Sequence, residues 1–291
     1  MPARRAINLA YGLTASWAIA CGNPTPAPAD QARKQAQREL DLGGRQFEVE
    51  DLGQAPRRQL SYAGAHARRV RISVSTRQPS AEREKVSPPF FVVELDWRGQ
   101  APLEGPATYE FAVKAAGAAN IPKLSKDPDV AELLEKIETP CLRVRGSVRI
   151  EDGQLFQISS TRGPHLSPDI PILLDLFLVP LPKAEIGVGA RWATTDAKAN
   201  ERREYVLTHL GETSATIDFE RSSTEESPSR PLVRGRFELR STGGTEAPKL
   251  VFSDPLPTRG ELEFIFEIQY ADKAGDSSTQ IHQIIELDTP P

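Results

Sequence analysis

Cysteine and histidine are scarce in this 291-residue chain, which holds two cysteines, Cys21 and Cys141, and four histidines, His66, His165, His209 and His282. They stand far apart, with no Cys-x-x-Cys, His-x-His or His-Glu-x-x-His spacing, so the sequence offers no local metal site. The Gly-x-Ser-x-Gly elbow of serine hydrolases and the Walker loop of nucleotide enzymes are missing as well. Gly187-Val188-Gly189 lacks the third glycine and the βαβ setting of a dinucleotide fold. Nor is there an excess of positive charge: 36 basic residues face 40 acidic ones, a net charge of −4, which argues against a nucleic-acid partner. The acidic pairs Glu135 and Glu138, and Glu225 and Glu226, lie on polar segments and read as solvated faces, not as the carboxylate couple of a glycosidase. With no catalytic constellation, the expectation is a protein that is not an enzyme and needs neither cofactor nor metal.

What the sequence does have is an export pattern at its start. Arg4 and Arg5 precede an apolar stretch, residues 6–20, which ends in small residues at Ala18-Ile19-Ala20-Cys21. The stretch is shorter than the roughly 20 apolar residues of a membrane-spanning helix. The four residues resemble the lipobox of bacterial lipoproteins, with Ala18 where leucine is usual, and this resemblance implies acylation of Cys21 and cleavage just before it. An Ala-x-Ala secretory site would cut the same bond and leave Cys21 unmodified. In either case residues 1–20 are a signal peptide. Gly22 is not the aspartate that retains many lipoproteins at the inner membrane, so the expected location is the cell envelope at the outer membrane, with the membrane as partner through the lipid. A soluble periplasmic or secreted protein is the alternative. If Cys21 carries lipid, Cys141 has no disulfide partner within the chain and reads as a small buried residue on a strand.

Residues 21–44 read as a flexible tether. Residues 22–30 are rich in proline and alanine, and residues 31–40 have helical composition without an apolar face. Further along the period is two. Val70, Ile72 and Val74 alternate with Arg69, Arg71 and Ser73, the pattern of a strand with one wet face. Similar runs lie at 90–97, 108–113, 142–150, 154–159, 204–210, 215–220, 232–239, 250–252, 261–270 and 279–287. Two segments read as helices: 128–137, capped by Asp127, and 170–179, apolar nearly all round apart from Asp175. The fold class expected is mainly β, an antiparallel β-sandwich or open half-barrel with one or two short packed helices, residues 45–291 forming a single β-rich domain. The block Val144-Arg145-Gly146-Ser147-Val148-Arg149-Ile150 is echoed by Val233-Arg234-Gly235-Arg236-Phe237-Glu238-Leu239, with a Tyr-led strand upstream of each, at Tyr109 and Tyr205. The echo raises a duplicated β-meander as one form of that domain.

The segment Leu178-Val179-Pro180-Leu181-Pro182, followed by Ile186-Gly187-Val188-Gly189-Ala190-Arg191-Trp192, forms a "PLP…GVGARW" block. With Arg57-Arg58-Gln59-Leu60-Ser61-Tyr62 and the apolar run before it, the block resembles an uncharacterised family of bacterial lipoproteins and secreted proteins, a domain of unknown function. That resemblance implies no catalytic residues. The glycines read as points of special backbone geometry or close approach, and Trp192 as a plug at the end of a barrel or sandwich, with ligand contact as its alternative. If a ligand site exists, its candidates are Trp192, Leu174 and Phe177. Two functions follow. One is a non-catalytic structural or protein-interaction module of the envelope. The other is a carrier for a lipid or other apolar ligand in a half-barrel cavity, by analogy with periplasmic lipid carriers.

Overall fold

The computed structural model describes residues 37–41, 45–62, 67–78, 85–100, 107–118, 141–151, 154–161, 170–223, 231–241, 249–252, 254–272 and 275–289. In chain order these form β1 (Gln37–Asp41), β2 (Gln46–Asp51), β3 (Gln59–Tyr62), β4 (Ala67–Gln78), β5 (Lys85–Val86), β6 (Phe91–Gln100), β7 (Ala107–Ala118), β8 (Arg145–Glu151), β9 (Gln154–Thr161), α1 (Ile170–Phe177), β10 (Arg191–Asp196), β11 (Glu201–Leu210), β12 (Ser214–Ser223), β13 (Leu232–Arg240), β14 (Lys249–Phe252), β15 (Arg259–Asp272) and β16 (Gly275–Asp288).

The alternating segments become strands because one side of each has apolar area to bury. Val70, Ile72 and Val74 on β4, Leu95 and Trp97 on β6, Tyr205 and Leu207 on β11, and Ile285 and Leu287 on β16 are all enclosed. Each bulky side chain enclosed in this way contributes about 1.5–3 kcal/mol. All of them lie in one 14-stranded sheet in the order β1-β9-β8-β7-β6-β4-β16-β15-β13-β12-β11-β10-β2, with β5 added beside β4. Every neighbouring pair in that order is antiparallel. The mainly-β expectation holds, and of its two forms the chain adopts the single sheet that is not closed into a barrel. The two halves of the sequence meet at its centre, where β16 pairs with β4 from His282↔Arg77 to Asp288↔Arg71.

Connectivity bends this sheet. β1 and β2 end its two opposite edges, yet only residues 42–45 separate them in the chain. Laid flat at the usual strand spacing, the edges of a thirteen-strand path would stand roughly 58 Å apart. The link from Asp41 to Gln46 reaches at most about 18 Å. The sheet must therefore curl until its edges lie side by side. Counting antiparallel neighbours along the order shows that β1 and β2 run in the same direction, so the two strands descend along a seam, β1 bonded to β9 and β2 to β10.

Inside the curl lies a second layer drawn from the same chain. α1 begins with proline in its first turn, at Pro171, and stops at Phe177 because Pro180 and Pro182 forbid its continuation. Ile170, Leu173, Leu174, Leu176 and Phe177 are all buried, as are Leu178, Val179 and Leu181 behind them. Beside this segment β3 and β14 form a two-stranded parallel sheet, Leu60 opposite Leu250 and Tyr62 opposite Phe252. The Tyr62 hydroxyl donates to the Val179 carbonyl at 2.5 Å, tying the two inner pieces together. Burial raises the Tyr62 phenol above its ordinary range, with Tyr109 and Asp254 nearby adding to the effect.

The chain departs from the sequence expectation in several places. Residues 37–41, inside the expected flexible tether 21–44, are strand, because β9 offers them a hydrogen-bonding edge. The strand expected from residue 142 begins at Arg145, and Cys141 is buried just ahead of it, not on it. The apolar helix ends two residues before 179. The helix expected at 128–137 and the anchor at Cys21 lie outside the described residues, as do His66, His165, Glu135, Glu138, Glu225 and Glu226. The two echoed blocks form β8 and β13, where Gly146 faces the Phe111 ring and Gly235 sits against Leu262 and Phe219. The strand carrying Tyr109 adjoins β8, whereas the strand carrying Tyr205 is two removed from β13.

Candidate functional site

The most unusual chemistry lies inside the curl, where the one charged residue of α1 is enclosed. Asp175 is 4 % exposed, and Arg203 on β11, also 4 % exposed, points inward with Tyr205 and Leu207 because strand parity puts all three on one face. A carboxylate taken out of water alone would cost far more than a domain can sustain. Here it is saturated. Arg45 donates to both its oxygens at 2.8 Å, and Arg203 adds a third bond at 2.6 Å to Oδ2 and a fourth, at 3.0 Å, to the Asp175 carbonyl. Arg203 turns its Nε to Glu201, which also faces Arg221 at 3.6 Å, and Arg45 approaches Asp196 at 3.7 Å. Three arginines thus meet three carboxylates.

Burial pushes the Asp175 carboxyl up, but the charges and hydrogen bonds of Arg203 and Arg45 outweigh it and hold the group well below the usual carboxylate range. Burial likewise lowers Arg203, and Asp175 and Glu201 more than reverse this. A carboxylate held ionised by two guanidinium groups that bond both of its oxygens is a poor acceptor for a substrate proton. The cluster is a buried ionic joint between α1, the seam and β11.

The three residues singled out as ligand contacts belong to the packing around this joint. Trp192 is 1 % exposed, stacks on Tyr205 with centroids 5.7 Å apart, and donates its indole N–H to the Pro180 carbonyl at 2.9 Å. From Tyr205 the aromatic contacts continue to Phe219 at 5.3 Å, to Phe237 at 5.5 Å, and from Phe237 to Phe177 on α1 at 6.0 Å. Leu174 and Phe177 are fully enclosed. A Cβ added to Gly260 would stand 3.0 Å from the Phe177 ring, so α1 sits directly on β15 where the sheet has no side chain. The close approach read at the glycines is present too. A Cβ on Gly187 would fall 1.7 Å from the Gln54 carbonyl oxygen, and Gly189 has a φ of +86°.

The other face of the sheet carries charge in ordered rows. Directly opposed residues run Glu238, Arg259, Asp288, Arg71, Glu94 across five strands, alternating in sign at each step. Beside that row Arg236 bonds Asp218 at 2.8 Å and Arg234 bonds Glu220 at 3.0 Å. Exposed pairs of this kind contribute about 0–1 kcal/mol each. Their larger effect is on register, since a one-residue slip would turn these charged side chains onto the enclosed face of the sheet. A groove of ≈ 830 Å³ opens on this face over β10–β13 and β15. At its margin Glu263 accepts from Arg77 at 2.8 Å and lies 2.9 Å from His282 Nδ1. Among the described residues no three His, Cys, Asp or Glu side chains converge on a cation position.

Sequence reading reached Asp175 only as the exception in an apolar helix and missed Arg45, Arg203 and Glu201. The signal was present in part, since an aspartate on a helix that must be buried requires a cation, and Arg203 has the parity of Tyr205. Arg45 gave no signal, because its role depends on where the seam falls. Comparison with protein-family models, with curated proteins and with solved structures returned no match.

Proposed function

We propose that this chain is a membrane-anchored lipoprotein of the cell envelope, held at the outer membrane by acylated Cys21, and that it works as a non-catalytic structural or protein-interaction module. The observation that supports this reading is the occupied interior. Where a carrier of apolar ligands would keep a cavity, the described inner layer of α1, residues 178–182, β3 and β14 packs against the sheet with its large side chains enclosed. Interaction is then left to the outer surface, whose groove is lined mostly by arginine, glutamate and aspartate side chains. The anchor is tested by labelling cells with a palmitate analogue. The wild-type protein should be labelled and sediment with the outer membrane, and Cys21→Ser should be unlabelled and soluble. More than one acyl chain is needed for stable attachment, at about 0.8 kcal/mol per buried methylene. Equal labelling of both proteins would overturn the lipoprotein reading.

A further inference from the structure

We infer that residues 45–52 are a hinged strap over the seam, latched by Arg45, which opens while the rest of the sheet stays folded. β2 is a terminal strand, bonded on one side only, to β10. Phe47 is its one half-buried residue, and Val49 and the following Leu52 are each 36 % exposed, so the strand carries no fully enclosed side chain into the core. Its ionic attachments, Glu50 to Arg191 at 3.8 Å and Glu50 to Arg202, lie at the surface, where such pairs hold weakly.

The two ends of the strap differ. Below it Gly53 has a φ of +73° and packs so closely on residues 187–190 that a Cβ would fall 2.3 Å from the Gly187 carbonyl oxygen. The amide of Gln54 donates to Val188 at 2.8 Å, and Arg58 and Ile186 exchange both backbone hydrogen bonds at 2.9 Å. This end is a fixed pivot. Above it the hold is Arg45 on Asp175, with β1 paired to β9 further up the chain. When Arg45 leaves, Asp175 keeps Arg203, so no buried carboxylate is orphaned and the latch can release. Opening frees the edge of β10 that β2 covers.

Hydrogen exchange of the full chain, read by peptide, tests this. The amides of β2 that pair with β10 should exchange at least ~10-fold faster than those of β11 and β12, since sub-global opening is read as early exchange. Arg45→Ala should speed them a further ~10-fold and leave β11 and β12 unchanged. Gln46 and Thr195 are opposed across the pair, so a Gln46→Cys/Thr195→Cys variant should exchange at the β11 rate when oxidised and return to the wild-type rate when reduced. That oxidised and reduced comparison decides the matter even if Arg45→Ala fails to fold. Strap amides that exchange in step with β11 and β12, or that ignore the disulfide, would overturn the inference.

Discussion

Asp175→Ala should lower the free energy of unfolding by about 3–5 kcal/mol, the usual cost of breaking a buried ion pair from one side. The substitution removes one carboxylate and leaves two guanidinium groups, those of Arg45 and Arg203, without their shared acceptor in a region closed to water. Arg203 keeps Glu201 and Arg45 keeps a longer approach to Asp196, so the loss should stay within that range and the chain should still fold. The triple variant Asp175→Leu/Arg203→Met/Arg45→Met should be less destabilised than Asp175→Ala, because it removes both guanidinium groups together with the carboxylate, and Glu201 keeps Arg221. Urea titration of the three proteins at neutral pH reads this directly.

The same joint fixes the sign of a pH dependence. Because Asp175 titrates lower in the folded chain than its value of about 3.9 when unfolded, the unfolded state takes up the proton first on acidification. The stabilisation is fully present above the unfolded value and is lost as the pH falls below it toward the folded value. Acid titration should therefore show wild-type stability falling more steeply than that of Asp175→Asn in this window, with the two curves converging as the pH drops. Parallel curves would mean that Asp175 is not the carboxylate responsible.

Phe177→Ala should cost about 3–5 kcal/mol, as large-to-small substitutions of enclosed aromatic residues do. The ring fills the space over Gly260 and touches Phe237, and neither neighbour can close the hole: Gly260 has no side chain, and Phe237 is held by Phe219. Leu174→Ala, at the same depth in α1, should cost about 2–5 kcal/mol. In a carrier these side chains would line a cavity, already short of packing partners, and their removal would change ligand uptake more than stability. Guanidinium or urea melts with an unchanged m-value separate the two cases. Both variants melting with the wild type would contradict a packed inner layer.

How much of this was legible in the sequence follows from which residues must be buried. Strands with an enclosed face announced themselves, as Val70, Ile72 and Val74 on β4 do, because burial on one side writes a period of two. α1 was legible for the opposite reason, a helix apolar all round having nowhere to go but inside. β1 and β2 were not legible. A terminal strand with the pattern of β2, one half-buried residue among exposed ones, has no face to alternate, and Gln37–Asp41 reads as helix by composition. Register was hidden as well, since the row from Glu238 to Glu94 becomes visible only once five strands are laid side by side. The ionic joint was half legible: Asp175 and Arg203 each carry a local sign of burial, whereas Arg45 is defined by a seam that only the closure of the chain creates.

The occupied interior is the central claim, and native mass spectrometry of the full protein, purified from its own membrane without added lipid, tests it most directly. The expected mass is that of the processed chain with its covalent acyl groups and nothing further, before and after mild collisional activation. A stoichiometric lipid or other apolar molecule that leaves on activation would mean that the curled sheet encloses a ligand, and the account given for α1, Leu174, Phe177 and Trp192 would be wrong.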